Sequence, residues 1–61
     1  MANISQIELE NLRHLITDEQ VASSKCSFYA DSAQHPELKK MFSQGAKDAQ
    51  SNVQKLKQFL Q

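Results

Sequence analysis

Apolar residues recur along the first half of the chain at alternating steps of three and four residues. Such steps place side chains on one face of an α-helix, so the pattern predicts a helix from about residue 6 to residue 33. One member of this stripe, Glu19, is charged where an apolar residue is expected. The stripe is Leu9, Leu12, Ile16, Glu19, Ser23, Cys26, Ala30 and Ala33, flanked by Leu15, Ala22 and Tyr29.

The helical pattern is interrupted at about residues 34–36 and then resumes. Pro36 disfavours helical geometry in the residue before it but is well suited to open a new helix, predicted here over about residues 37–60. So short a connection predicts an antiparallel hairpin that forms a single domain over residues 1–61. The second stripe is Leu38, Phe42, Gly45, Ala49, Asn52, Leu56 and Phe59, flanked by Met41, Val53 and Leu60.

The first helix has a recognisable start at Ser5. Ser5 and Glu8 have the spacing of a capping box, in which each side chain bonds the backbone N–H of the other residue. Ile4 and Leu9 occupy the two positions of a hydrophobic staple. The pattern therefore predicts that the helix begins immediately after Ser5.

Composition supports an all-α protein, since glycine and proline occur once each among 61 residues. Seven basic and seven acidic side chains give a net charge of zero, which argues against a general nucleic-acid binder. No signal peptide is apparent and no apolar run approaches the roughly 20 residues that span a bilayer. We therefore expect a cytoplasmic protein with no membrane partner, and the single Cys26 is consistent with a reducing compartment.

The predicted hairpin leaves much of its apolar surface uncovered. With the turn near His35, residues whose numbers sum to about 70 face each other, which places small side chains in the middle. A lone hairpin of this kind hardly offsets its chain entropy, so we expect a homodimer that forms a four-helix bundle. The predicted core and dimer interface consist of Leu12, Leu15, Ile16, Tyr29, Met41, Phe42, Val53, Leu56 and Phe59.

Glu19 is the residue with the most suggestive chemistry. Di-iron bundles of the ferritin type combine an inward Glu on one helix with Glu-x-x-His on another. The positions expected opposite Glu19 read Ala49-Gln50-Ser51-Asn52 and lack both ligand types. We therefore predict a buried polar layer of Glu19 and Asn52 and no metal, cofactor or catalytic site, with a metal-binding relative of ferritins as the alternative.

The remaining reactive side chains do not form a constellation. His14 is expected to point into water, and His35 lies in the turn. Cys26 is interpreted as a small core residue, with a disulfide across a dimer axis as the alternative. The second helix carries five lysines, but the chain has no net positive charge, so a solvated face is preferred to DNA binding.

Several residues together resemble the spore coat protein F family and its short relatives in endospore-forming Firmicutes. They are Glu19, Ala22, Lys25 and Tyr29-Ala30, followed by His35-Pro36-Glu37-Leu38 and Phe42. The similarity runs from about Leu9 to Leu60 and covers one helical hairpin, whereas fuller members of the family are longer. It implies a ferritin-like helical fold and a non-enzymatic, sporulation-associated structural protein, with other coat or sporulation proteins as partners. The competing resemblance is to short uncharacterised Firmicute proteins with two helices.

Overall fold

The computed structural model describes residues 3–60 and shows two long helices packed against each other. Helix α1 comprises Gln6–Ser32 and helix α2 comprises Pro36–Lys57, followed by a short 3-10 helix at Gln58–Leu60. The described residues are 90% helical and contain no strand. The predicted all-α hairpin is therefore confirmed, as an elongated body of 45 × 15 × 12 Å.

The capping box predicted at the start of α1 is present. The hydroxyl of Ser5 accepts the backbone N–H of Glu8 at 3.2 Å, and the backbone N–H of Ser5 donates to the Glu8 carboxylate at 2.9 Å. The backbone N–H of Ser5, and then its side chain, hold the pKa of Glu8 below its ordinary value. A negative charge here also suits the positive end of the helix dipole.

The turn between the helices is short because both helix ends are capped next to it. Helix α1 ends one residue before the predicted position, since Ala33 takes up extended geometry while its N–H still bonds the carbonyl of Tyr29. His35 is the N-cap of α2, where its Nδ1 accepts the N–H of Leu38 at 3.4 Å. Pro36 then opens α2 as predicted.

Small side chains dominate the seam where the two helices meet. The buried residues of α1 are Ile16, Ser23 and Ala30, and those of α2 are Ala46, Ala49 and Val53. On α2 this corrects the predicted stripe, whose bulky members lie beside the seam and not in it. Small residues allow the backbones to approach closely, which displaces larger side chains to the flank.

The register of the hairpin agrees with the predicted one. Glu19 pairs with Asn52, Cys26 with Gly45, and Tyr29 with Phe42, so the residue numbers in each pair sum to 71. A Cβ added at Gly45 would lie only 3.2 Å from the Sγ atom of Cys26. Glycine therefore favours close approach of the helices here, since a Cβ would require Cys26 Sγ to shift by a few tenths of an ångström.

Candidate functional site

The seam divides the surface of the hairpin into two sides of different character. On one side lie the contacts of Cys26 with Gly45 and of Tyr29 with Phe42. We call this side the apolar face. Helical periodicity from these contacts places the following large residues on it: Leu12, Leu15, Tyr29, Leu38, Met41, Phe42, Leu56 and Phe59. The other side is called the polar face, and its residues are Ser27, Asp31, Lys39, Ser43, Lys47 and Gln50.

Side chains on the polar face satisfy buried groups within the chain. The hydroxyl of Ser23 lies 3.2 Å from the carbonyl oxygen of Ala46 and 2.9 Å from the side-chain oxygen of Gln50, and these two acceptors share its single proton. The Lys39 ammonium donates to the carbonyl of Ala30 at 2.7 Å. Because α1 has no basic residue in its last turn, Lys39 supplies from α2 the positive charge that favours a helix C-terminus.

A shallow open groove of about 240 Å³ runs along the polar face. It is lined by Ser27, Ala30, Asp31, Ser43, Ala46 and Lys47. Its lining combines one carboxylate and one ammonium with small side chains.

The residues predicted for the core and dimer interface differ in burial: some lie in the seam, and others are half-buried or exposed at the surface. Ile16 and Val53 lie in the seam and are only 8% and 4% exposed. Leu12, Phe42 and Leu56 are half-buried. The remaining members are exposed in the single chain, namely Leu15, Tyr29, Met41 and Phe59.

Glu19 and Asn52 lie together at the middle of the apolar face. The Asn52 amide donates to Oε1 of Glu19 at 3.5 Å, a long hydrogen bond between the two helices. Glu19 is half-buried and Asn52 is exposed, so the pair is not a buried layer in the single chain. The reason is that both side chains emerge beside the seam, and the predicted burial requires a covering partner.

The other candidate groups lie apart from one another. His14 is exposed, and Cys26 is a half-buried free thiol. The lysines of α2 are exposed, and Lys39 is committed to the end of α1. Within residues 3–60 no three His, Cys, Asp or Glu side chains come together in a way that could hold a metal ion. No helix of the same region is long and apolar enough to cross a membrane.

Sequence reasoning missed a second set of exposed apolar residues on the back of α1. Its members Ile7, Val21 and Phe28 are all exposed. Phe28 makes an edge contact with Tyr29, at 6.3 Å between ring centroids. Their spacing in multiples of seven residues was the available signal, since it places them in one line away from the seam.

The chain matches no protein-family model, and it matches neither a curated protein nor a solved structure.

Proposed function

We propose that this protein is a non-enzymatic interaction module that works as a homodimer, in which two apolar faces pack together into a four-helix bundle. The observation that carries the proposal is the amount of surface left exposed. A compact monomer of 6.9 kDa is expected to expose about 4,000 Å², whereas this chain exposes 4810 Å². The excess of about 800 Å² equals what one partner buries in a standard protein–protein interface.

The distribution of that surface favours a single large contact. Leu15 and Tyr29 of α1 and Phe59 beyond α2 are exposed on the same side, next to half-buried Leu12, Phe42 and Leu56. Contiguous apolar surface of this kind is typical of protein interfaces, whereas single exposed apolar residues are ordinary. Pairing of two such faces is the arrangement of side chains that a four-helix bundle needs.

A sporulation-associated structural role follows from the resemblance to the spore coat protein F family. It is supported by the Tyr29-Ala30 and His35-Pro36-Glu37-Leu38 motifs of that resemblance. A fluorescent fusion in a sporulating host tests this role. Accumulation around the forespore supports it, and uniform fluorescence throughout sporulation contradicts it.

A matched pair of substitutions on α1 tests the homodimer. Leu15 lies on the apolar face and Val21 lies off it, yet the two are 45% and 46% exposed. Leu15→Lys therefore places an ammonium in the dimer interface, whereas Val21→Lys places the same group in water. Light scattering should report a dimer for the wild type and for Val21→Lys, and monomeric or unfolded chains for Leu15→Lys.

Two results would overturn the homodimer. One is a wild-type solution mass of one chain at concentrations well above micromolar. The other is equal behaviour of the two lysine variants, which would show that the apolar face is not the contact. The metal-binding alternative is tested separately, since it requires about one iron or manganese ion per chain after purification without chelator.

A further inference from the structure

We infer that the two copies pair in antiparallel fashion, with their turns at opposite ends of the bundle. Helix α1 then packs on α1 of the partner, and α2 packs on α2 of the partner. This inference rests on the proposed homodimer and adds the direction and register of its interface. The side-chain sizes along the apolar face decide between this arrangement and one with both turns at the same end.

The apolar face has four successive regions that differ in side-chain size. At the open end of the hairpin the face is bulky, with Leu12, Leu15, Leu56 and Phe59. At mid-length lie Glu19 and Asn52. Between them and the turn the side chains of the face are small, namely Ala22, Cys26 and Gly45. Next to the turn they are large again, namely Tyr29, Met41 and Phe42.

Pairing with both turns at the same end would bring regions of similar side-chain size together. The bulky open ends would meet and hold the two hairpins apart, while the small residues around Gly45 would face the small residues of the partner. That leaves a void beside Cys26, and protein interiors hold few such voids. An unfilled apolar cavity also destabilises in proportion to its volume.

Antiparallel pairing sets the bulky open end of each hairpin against the small residues of the other. With the midpoint of the interface at Glu19 and Asn52, Leu12 and Leu15 come over the depression that Cys26 and Gly45 form in the partner. The helices approach closely at this point, since a Cβ at Gly45 would come within 3.2 Å of Cys26 Sγ. The two polar pairs then meet each other at the centre, where the predicted buried polar layer becomes closed.

Charges along the rim of the apolar face fit a second copy of the chain. On α1, Asp18 and Lys25 are seven residues apart, and on α2, Asp48 and Lys55 have the same spacing and order. Antiparallel pairing brings Asp18 to the partner's Lys25 and Asp48 to the partner's Lys55. The midpoints of both charge pairs lie within about three residues of Glu19 or Asn52, roughly 4 Å along the helix. Pairing with both turns at the same end would match these charges equally well. The charges therefore indicate that the partner is a second copy of the chain, and the side-chain sizes indicate the direction in which the two copies pair.

Distances between spin labels on the turns test the direction. Gln34 is exposed in the turn and Ser51 is exposed at mid-length, so each can be changed to cysteine and labelled in a Cys26→Ala background. Antiparallel pairing predicts about 40 Å between labels at 34 and a short distance at 51. Same-end pairing predicts about 20 Å or less at 34, given the spacing of packed helices.

The outcomes separate the direction from the dimer itself. A long distance at 34 with a short one at 51 supports the inference. A short distance at both positions overturns the antiparallel direction but leaves the homodimer in place. Absence of dipolar coupling at both positions, with a solution mass of one chain, overturns the homodimer and the inference together.

Ala22→Leu gives a second test with opposite signs for the two directions. Ala22 is half-buried on the apolar face, between Leu15 and Tyr29 in the same line. In the antiparallel dimer an added leucine collides with the bulky part of the partner, so the dissociation constant should rise about tenfold or more. With both turns at the same end, the leucine would fill the void and tighten the dimer, which would contradict the inference.

Discussion

The two sides of the seam differ in how completely the chain covers them. On the polar face, Ser23 bonds the α2 backbone and Gln50, while Lys39 reaches the end of α1. On the apolar face, Tyr29 meets Phe42 at 5.4 Å between centroids, but Leu15 and its neighbours face water. The chain therefore covers one side of its core by itself and leaves large apolar side chains exposed on the other.

The two faces therefore serve different purposes: one aligns α1 with α2, and the other offers apolar area for association. Hydrogen bonds and a lysine at a helix end give the hairpin its internal register, because they join specific atoms of α1 and α2. Apolar side chains beside the seam provide area but no such geometry within one chain. Substitutions on the two faces should therefore differ in whether they alter association.

The largest effect is expected from Ile16→Lys, because Ile16 lies in the seam that both faces share. The change removes a buried side chain and brings an unpaired ammonium among apolar groups. Its free-energy cost exceeds the roughly 3–5 kcal/mol of stability that so small a domain has. Circular dichroism should show an unfolded chain. Ile7→Lys is the control, since Ile7 is exposed, and a folded Ile16→Lys monomer would contradict the account.

Ser23→Ala should weaken the polar side without altering association. The variant leaves the Ala46 carbonyl without the Ser23 hydroxyl, so thermal or urea unfolding should show a loss of about 1 kcal/mol. Ser24→Ala, at an exposed neighbouring position, is the matched control and should change little. A change in solution mass for Ser23→Ala would show that the polar face takes part in the dimer.

Glu19→Leu should keep the helical content and leave stability within about 1 kcal/mol of the wild type, because the carboxylate loses hydration in the dimer whereas leucine extends the apolar face. The long hydrogen bond from Asn52 offers little compensation. Thermal unfolding checks the expectation. A large loss of stability would mean that Glu19 has a stronger partner than Asn52.

The smallest effect should come from Glu8→Gln, which lies outside both faces. The folded state lowers the pKa of Glu8 from 4.5, so its carboxylate stabilises the fold above that value. This contribution is lost as the pH falls through the lowered pKa. The wild type should therefore exceed Glu8→Gln in melting temperature at neutral pH, and the difference should close in acid. A constant difference across that range would contradict the capping role of the charge.

Helix starts, the turn and the register could be predicted because each depends on local chemistry. The Ser5–Glu8 box, Pro36 and the three-and-four spacing all act within a few residues. On α2 the prediction placed Ala49 in the seam correctly, but the other buried residues, Ala46 and Val53, lie one position beyond the predicted Gly45 and Asn52. Periodicity identifies an apolar sector but cannot tell which part of it faces the neighbouring helix.

The residues of the candidate site could be predicted, but not which of them are buried between the helices and which are exposed beside the seam. The pattern placed Leu15 and Ile16 in one interface, yet in the structure Ile16 is covered by α2 and Leu15 is not. The difference between seam and flank depends on how closely the backbones approach, which Gly45 and the alanines determine together. Ile7 and Val21 were missed because they lie outside the sector on which the prediction was based.

The melting temperature of the wild type as a function of protein concentration tests the central claim most directly. If folding and dimerisation are one transition, the midpoint rises with concentration, by about 5 °C for each tenfold increase in a dimer of two 61-residue chains. A midpoint that stays constant over a hundredfold range would show that the hairpin folds alone and that its apolar face needs no second copy.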